Sequence, residues 1–328
     1  MDLLSKKHLV LNSLLLTVPW LAKLPPIRRR LERADIGTGG SDSAAYCYSV
    51  WLRHLTRARD NGLNYRPEVV AELGPGDSLG IGCAALLCGA EKYFALDVVS
   101  HVNLDQNLVV LDGLVDLFRR RASIPDDSPF PRVIPKLKNY AFPSDVLSDA
   151  FLAEKLEPAR IQRIKYSLQN PNAPDSMIRY CVPWASEKII ETESVDLIIS
   201  QAVLEHVDDL SGAYKAMRSW LKPSGFVSHV IDFKCHGTAD TWDGHWAYSD
   251  LMWKVIRGRR TWLINREPKL THIDLMTELG FSAVESEEIH REPTINPSRL
   301  AKRFESMTES DRVTSDLFVQ AVLSEAPR

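Results

Sequence analysis

Apolar runs and amphipathic stretches alternate along most of the chain, in the manner of an α/β protein. Residues 69–73 form an apolar run broken by a single acid, which is typical of a parallel strand buried on both faces. Similar runs end at Asp97, Ser200 and Phe233, and the stretches between them repeat apolar residues at helical spacing. The alternation predicts an α/β fold built on a doubly wound sheet.

The same pattern places the other elements. Asp42 or Ser43 is a suitable N-cap for the first helix, and Gly280 is suited to end a late one. Helices are predicted over residues 43–60, from about 78 onward, 104–122, 144–152, 158–168, 210–221, 248–257 and 272–279. Strands are predicted over residues 69–73, 93–97, 177–182, 194–200, 226–233, 281–289 and 316–323.

A glycine-rich turn follows the first of these strands. Gly74 and Gly76 allow the backbone to turn tightly and to approach a ligand without a Cβ in the way. The helix that starts at about Ser78 is expected to present its free N–H groups to the same crevice. Asp97, at the end of the next strand, is placed to accept hydrogen bonds from both hydroxyls of a ribose. Together these features predict a nucleoside-binding corner.

The turn departs from the dinucleotide-binding pattern G-x-G-x-x-G, because Leu79 stands at the third glycine position and Gly80 comes one residue late. The stretch AELGPGDSLG instead resembles the first motif of class I S-adenosylmethionine-dependent methyltransferases, where an acid precedes G-x-G. The stretches ALDVV and VDLIISQAVLEHV extend the resemblance, which covers residues from about 66 to 290. It implies a Rossmann-like sheet of seven strands with the last one antiparallel. It also implies S-adenosyl-L-methionine as cofactor and S-adenosyl-L-homocysteine as product.

The resemblance carries over a set of cofactor-binding residues. Trp184 follows the third strand, where relatives place a residue against the adenine, and its indole face could stack on the base. A core tryptophan would give the same sequence pattern. The expected cofactor-binding residues are Glu72, Gly74, Gly76, Asp97, Val98, Trp184, Ala185, Ser200 and Gln201.

The sequence LEHV, just past the fourth strand, resembles a position that faces the sulfonium in many small-molecule methyltransferases. Glu205 or His206 would then meet the methyl acceptor. Some relatives bind a divalent metal at this point through a Glu-x-x-Glu-His arrangement. In this chain Ala202 stands at the first glutamate position. No metal is therefore expected at this loop, and a divalent metal is not favoured as a cofactor.

Polar residues are dense after the fifth predicted strand, between Asp232 and Trp246. Asp232, His236 and His245 suit a base-and-orienter pair for a hydroxyl acceptor, a metal site of Asp and His, or a polar surface loop. A histidine is the side chain best matched to a base at neutral pH. The expected catalytic residues are His206, Asp232, His236 and His245.

The later motifs D-F-x-x-H, W, N-R and LG-F resemble bacterial methyltransferases linked to cell-surface glycan and other sugar modification. The expected function is O-methylation of a sugar or of another hydroxyl on a small molecule. Two alternatives stay open, an NAD(P)-dependent oxidoreductase and a non-catalytic nucleoside-binding protein of the same fold. Leu79 and the lack of a Tyr-x-x-x-Lys pair argue against the first, and the histidine-rich segment argues against the second.

Two regions interrupt the regular alternation. Residues 1–65 are expected to form an N-terminal helical extension that acts as a lid, and residues 66–328 the methyltransferase domain. Within that domain, residues 123–176 are punctuated by prolines and predict a helical insertion over the active site. Insertions at the carboxyl edge of such a sheet commonly supply substrate contacts.

Residues 3–24 are mostly apolar and flanked by basic residues, but the run is too short and too interrupted to span a bilayer. They predict either a helix packed on the protein or a peripheral membrane anchor. A net charge of −3 gives no basic surface for nucleic acid. The five cysteines are scattered without zinc spacing, which favours reduced thiols and a cytoplasmic location.

Overall fold

A computed structural model describes residues 40–184, 186–258, 260 and 263–324 of the chain. The apolar segment 3–24 and the predicted cofactor residue Ala185 lie outside the described residues. Within the described ranges, no helix has the length and apolar character needed to cross a membrane.

Strands and helices alternate over most of the described chain. The strands are β1 (Val69–Leu73), β2 (Lys92–Leu96), β3 (Ile178–Cys181), β4 (Val195–Gln201), β5 (Leu221–Asp232), β6 (Phe281–His290) and β7 (Thr314–Leu323). The helices are α1 (Ala44–Asp60), α2 (Gly80–Leu87), α3 (Leu104–Arg119), α4 (Asp149–Lys155), α5 (Pro158–Gln169), α6 (Leu210–Trp220), α7 (Asp250–Arg257), α8 (Lys269–Glu278) and α9 (Glu309–Val313).

The strands form one mixed sheet in the order β3-β2-β1-β4-β5-β7-β6. Strands β1 to β5 pair in parallel, whereas β7 runs antiparallel to both of its neighbours. The strand order reverses between β1 and β4, and ligands of open α/β sheets bind at the carboxyl ends of strands at such a reversal. The predicted doubly wound sheet of seven strands, with the last one antiparallel, is confirmed.

Strand β5 starts earlier than the sequence pattern predicts, at Leu221 rather than Phe226. Leu221 pairs with Val195, residues 222–225 then bulge out, and regular pairing with β4 resumes at Phe226. The bulge contains proline and glycine, which are turn residues, and so the pattern predicts a turn there. Helix α4 also differs from its predicted bounds, since it begins only at Asp149.

The sheet separates two apolar layers. One lies on the side of α1, α2, α3 and the insertion, and it contains Trp51 and Phe118. The other lies on the side of α6 and α8, and it contains Tyr214 and Trp220. Full burial of one large apolar side chain contributes about 1.5–3 kcal/mol. These layers therefore hold the strand ends, and the loops that leave them, in fixed positions.

Helix α1 lies across one face of the sheet. Ser43 caps its first turn by accepting a hydrogen bond from a backbone amide, as predicted. Near the middle of the helix, His54 Nδ1 lies 2.7 Å from Ser228 Oγ on β5, and His54 Nε2 lies 3.0 Å from Gln201 Oε1 on β4. The described part of the N-terminal extension is thus packed directly on the sheet.

One buried arginine holds the insertion against α1. The Arg53 guanidinium is fully buried and donates to the backbone carbonyls of Pro125, Val133 and Pro135 at 3.0–3.1 Å. The Asp127 carboxylate lies 3.3 Å from the same guanidinium and balances its charge. The first half of the insertion is therefore fixed by hydrogen bonds rather than by regular secondary structure.

A buried acid links the two central strands beside the predicted glycine turn. The Glu72 carboxyl on β1 is 2% exposed and accepts a hydrogen bond from the Tyr93 hydroxyl on β2 at 2.5 Å. Burial raises the pKa of Glu72 from 4.5 to about 8. Glu72 is therefore uncharged at neutral pH in the folded chain, where it cross-links β1 and β2.

Replacing Arg53 with Met keeps an extended apolar side chain but leaves three carbonyls without their donor. We expect the free energy of unfolding to fall by about 3 kcal/mol or more, because each orphaned buried group costs about 1–3 kcal/mol. Arg120→Met is the matched control, since Arg120 is exposed and pairs with Asp116 on the same helix. Urea unfolding measures both variants. Equally small losses in the two would contradict the anchoring role of Arg53.

Replacing Glu72 with Gln should change how stability depends on pH. A carboxyl whose folded pKa is raised contributes stability that is complete below its unfolded pKa and is lost as pH rises toward the folded value. Between pH 5 and pH 8 this loss approaches about 1.4 kcal/mol per pH unit in the parent chain, and Glu72→Gln removes it. Urea unfolding at several pH values measures the slope, with exposed Glu68→Gln as control. A parental slope in Glu72→Gln would show that Glu72 is not buried as an acid.

Candidate active site

The glycine turn after β1 packs directly on the loop after β4. Gly74 and Gly76 have φ angles of 63° and 74°, in the left-handed region that glycine tolerates. A Cβ added to Gly74 would lie 2.6 Å from Val203 Cγ1. Gly74 is therefore required both by its backbone conformation and by this contact, which sets the turn beside the loop that carries the predicted acceptor residues.

The backbone amides just before α2 already donate hydrogen bonds to side chains of other segments. Ser41 Oγ accepts hydrogen bonds from the amides of Asp77 and Ser78 at 2.9 and 3.3 Å. Asn107 Oδ1 accepts from the amide of Leu79 at 2.9 Å. The prediction that these N–H groups face the ligand crevice is wrong, because side chains from outside the turn bind them.

Asp97 lies at the end of β2, next to the turn. Its Oδ1 accepts hydrogen bonds from the amides of Val98 and Val99 at 2.7 and 3.4 Å, while burial raises its pKa. The side chains of Val98 and Val99 are 60% and 45% exposed, which is unusual for valine. The amide of Trp184 donates to Asp97 O at 3.0 Å, and the indole packs edge-on against Trp220. The structure thus brings Asp97, Val98 and Trp184 together.

Two other predicted cofactor residues use their side chains inside the protein. Ser200 is paired with Leu73 in the sheet, but its hydroxyl lies 2.8 Å from His229 Nδ1 in the buried layer. The Gln201 carboxamide contacts His54, and it also donates to Ile134 O in the insertion at 3.5 Å. Of these two residues, only the backbone of Ser200 lies next to the end of β1.

Four polar side chains meet where the loops after β4 and β5 face each other. Glu205, His206 and His236 each offer a ligand atom within 4.8 Å of the other two. The rings of His206 and His236 have centroids 5.0 Å apart. Asp232 Oδ2 lies 3.4 Å from His236 Nε2. We call these four residues the acceptor cluster; it contains three predicted catalytic residues and adds Glu205.

Backbone strain marks both of these loops. Ala202 has a φ angle of 55° and His236 one of 46°, in a region that residues other than glycine rarely occupy. Each such residue costs on the order of 1–3 kcal/mol, and strain of this kind concentrates at functional sites. The strain therefore supports a functional role for the acceptor cluster.

The carboxyl groups of the cluster differ in charge. Burial and the nearby Asp232 raise the pKa of Glu205 well above its ordinary value. Burial also opposes ionisation of Asp232, but the hydrogen bond from His236 and the charge of Lys234 outweigh it and lower its pKa to about 2. Lys234 Nζ contacts Asp232 Oδ2 at 3.0 Å and also binds Asp316 on β7. Asp232 is thus the fixed negative charge of the cluster.

The fourth predicted catalytic residue, His245, lies deeper in the protein. Its side chain is 1% exposed and its ring packs on Trp246 at a centroid distance of 4.6 Å. Burial, with a smaller effect from Arg266, lowers its pKa well below the ordinary value for histidine. The His236 side chain is 26% exposed. Of the two histidines suggested as base, His236 is the one that a substrate can reach.

An Asn-Arg pair before α8 holds the site loops in place, a role that the sequence did not reveal. Asn265 Nδ2 donates to Leu204 O and Val207 O, both at 2.8 Å, and Asn265 N donates to Glu205 O at 2.6 Å. The buried Arg266 guanidinium donates to His245 O and to another carbonyl of the same segment. The motif N-R was visible in the sequence, but its distance along the chain from LEHV hid the contact.

A polar cavity of about 370 Å³ is lined in part by Asp208, which is two residues after the Leu204–His206 turn. Several of its lining side chains form ion pairs, such as Arg257 with Asp208 and Arg266 with Asp250. The cavity is lined by Asp208, Asp250, Trp253, Lys254, Arg257, Gly258, Arg260, Arg266 and Arg303.

One family model matches part of the sequence. A family model described as a methyltransferase domain matches residues 153–228, which include β3, β4, α6 and most of β5. No curated protein matches the sequence.

The chain is also similar to solved structures, three of which are 12–16% identical to it. A phosphoethanolamine N-methyltransferase 2 from Haemonchus contortus, in complex with S-adenosyl-L-methionine, is 13% identical, with 86% of this chain and 57% of that chain covered and a TM-score of 0.41. A putative methyltransferase from Bacillus halodurans is 12% identical, with 83% and 99% covered and a TM-score of 0.40. A putative S-adenosylmethionine-dependent methyltransferase from Listeria monocytogenes is 16% identical, with 84% and 99% covered and a TM-score of 0.39.

The family match includes β4 and the Leu204–His206 turn after it, and it ends before Asp232 and His236. The sheet order supplies the carboxyl edge on which the glycine turn and Asp97 lie. Residues 153–228 therefore resemble a methyltransferase domain, and the sheet has the strand order of a doubly wound α/β fold.

Proposed function

We propose that this protein is an S-adenosyl-L-methionine-dependent methyltransferase that acts on a hydroxyl group of a small molecule, and that the acceptor is a sugar or a similarly polar compound. The observation that carries the proposal is the acceptor cluster, which combines imidazoles with carboxyls next to the glycine turn. A hydroxyl is a poor nucleophile until its proton is removed, so its methylation needs a group such as this. Acceptors that are already nucleophilic would not need it.

We place the cofactor along the carboxyl edge of β1, β2 and β3. The backbone of Gly74 and Gly76 would approach the methionine part, and the Asp97 carboxylate would bind the ribose hydroxyls. The exposed Val98 and the Trp184 indole would enclose the adenine, which fits their adjoining positions. The methyl group would then point toward Val203 and the loop that follows it.

The reaction is an in-line displacement at the methyl carbon. The acceptor oxygen forms a bond to that carbon while the carbon–sulfur bond breaks, which yields a methyl ether and S-adenosyl-L-homocysteine. Alignment alone can supply up to about 7–11 kcal/mol. His236 would take the hydroxyl proton, and the Asp232 carboxylate would orient the ring and stabilise the imidazolium. A positioned base of this kind adds about 10²–10⁴-fold.

Two further features support a polar acceptor. The 370 Å³ cavity beside the cluster is lined mostly by charged side chains, which suit a hydroxylated or acidic molecule better than a hydrocarbon. Gln201 Nε2, at the end of β4, donates to Ile134 O at 3.5 Å, and we propose that the part of the insertion around Ile134 covers the acceptor. Arg160 on α5 instead donates to Leu86 O and Ala90 O, which precede β2, so α5 lies toward the amino edge of the sheet.

We also propose that the protein is located in the cytoplasm. All five cysteines lie in the described ranges, and all are free thiols. Reduced thiols are typical of proteins that work in a reducing compartment.

Replacing Asp97 with Ala should weaken binding of S-adenosyl-L-homocysteine by about 1.5–3 kcal/mol, or roughly 10- to 150-fold, because a hydrogen bond to a charged group is lost. Calorimetry measures the dissociation constant. The matched control is Asp105→Ala, an exposed acid in the first turn of α3. Parental affinity in a folded Asp97→Ala protein would contradict the ribose assignment.

Replacing His236 with Ala should lower kcat by about 10²-fold or more, with little change in affinity for the cofactor product. The assay follows release of S-adenosyl-L-homocysteine with a panel of monosaccharides, sugar nucleotides, phenols and amines, and the variant is tested on the best acceptor. His290→Ala, at an exposed histidine paired with Glu288, is the control. Full turnover in His236→Ala, or a panel in which only amines react, would contradict the proposal.

A further inference from the structure

We propose that Glu205, His206 and His236 bind a divalent transition-metal ion. Their ligand atoms lie within 4.8 Å of one another. Metal–ligand bonds of about 2.0–2.2 Å at tetrahedral angles place ligand atoms about 3.3–3.6 Å apart, so the side chains would move together by up to about 1.5 Å to hold an ion. Two loops converge to form it, since Glu205 and His206 follow β4 and His236 follows β5.

The Glu205 carboxyl gives independent support for an ion. It is 3% exposed, and neither of its oxygens makes a hydrogen bond within the described part of the chain. A buried polar group left in this way costs about 1–3 kcal/mol, and a bound ion or water is a common reason for finding one. One of the two oxygens lies within 4.8 Å of ring nitrogens of His206 and His236, where a cation would satisfy it.

The surroundings of the cluster hold the ligands in position. Asp232 lies 3.4 Å from a ring nitrogen of His236, and a histidine that binds a metal usually pairs its other nitrogen with a carboxylate or carbonyl. Asn265 clamps the Glu205 turn through its amide and its backbone. Glu205, through its backbone, and His236, through its ring, are thus held by neighbouring groups.

The donor set indicates which ions suit the site. Two imidazoles and one carboxylate favour Mn²⁺, Fe²⁺, Co²⁺ or Zn²⁺, whereas Mg²⁺ prefers oxygen ligands. Three protein ligands also leave at least one coordination position open for a substrate oxygen. The sequence argued against a metal because Ala202 stands where relatives have a glutamate. In the structure His236, from the next loop, supplies the third ligand instead.

An ion in this position would bind the acceptor oxygen and lower the pKa of its hydroxyl, so that the proton passes to solvent water before methyl transfer. His236 would then be a ligand, and the ion would replace it as the group that activates the hydroxyl. This use of the ion rests on the hydroxyl acceptor of the proposed function, but binding of the ion does not.

Cobalt is the most informative probe, because Co²⁺ bound by nitrogen and oxygen ligands absorbs visible light. The full-length protein is treated with a chelator, dialysed and titrated with Co²⁺ while visible absorption is recorded. We expect one equivalent to bind and to be displaced by Zn²⁺. Glu205→Gln should abolish the bands, and Asp232→Asn should weaken binding by about 10- to 100-fold. His290→Ala should bind as the parent does.

Circular dichroism and calorimetry with S-adenosyl-L-homocysteine confirm that each variant is folded. The proposal is overturned if the parent shows no bands, or if the bands survive in Glu205→Gln, which would put the ion elsewhere. Turnover of a hydroxyl acceptor without any cobalt binding would overturn the metal site and leave the proposed function intact. Cobalt binding with no turnover of any hydroxyl acceptor would support the site and count against the hydroxyl proposal.

Discussion

The contact between Gly74 and Val203 determines how the rest of the site is arranged. A Cβ at Gly74 would come within 2.6 Å of Val203 Cγ1, so the glycine turn and the loop after β4 touch without any space between them. The pairing of β1 with β4 sets the two loops side by side, and the left-handed φ of Gly74 lets them close. The Leu204–His206 turn begins at the residue after Val203. The acceptor cluster therefore lies close to the glycine turn, where we propose that the cofactor binds.

The loops that carry the acceptor cluster are held in position by contacts with parts of the chain that are distant in sequence. Asn265 fixes the turn after β4, and Arg266 fixes the segment that contains His245. Lys234 joins Asp232 to Asp316 on the antiparallel strand β7. Strand β7 therefore also anchors the charged end of the site. Such support from rigid elements is what keeps functional side chains within the narrow tolerances that catalysis needs.

The sequence predicted those features that depend on local patterns. Buried strands appear in the sequence as apolar runs, so the strands of the sheet could be predicted, and the glycine turn and Asp97 lie at the ends of β1 and β2 as expected. The early start of β5 could not be predicted. Residues 222–225 have the composition of a turn, and only the pair between Leu221 and Val195 precedes them in the strand. Local sequence also gives no sign that Ser41 occupies the amides at the start of α2.

The candidate site was harder to predict, because it depends on which side chains meet across loops. His206, Asp232 and His236 come together as expected, whereas His245 is buried behind them against Trp246. Nothing in the spacing of these residues distinguishes a reachable histidine from a buried one.

The most direct test of the account is a crystal structure of the protein with S-adenosyl-L-homocysteine. The account predicts that the ligand lies on the glycine turn with its ribose hydroxyls about 2.7–3.2 Å from the Asp97 carboxylate. It also predicts that the sulfur faces the acceptor cluster formed by Glu205, His206, Asp232 and His236. A ligand bound away from the carboxyl edge of β1 and β2, or one whose sulfur points away from that cluster, would contradict it.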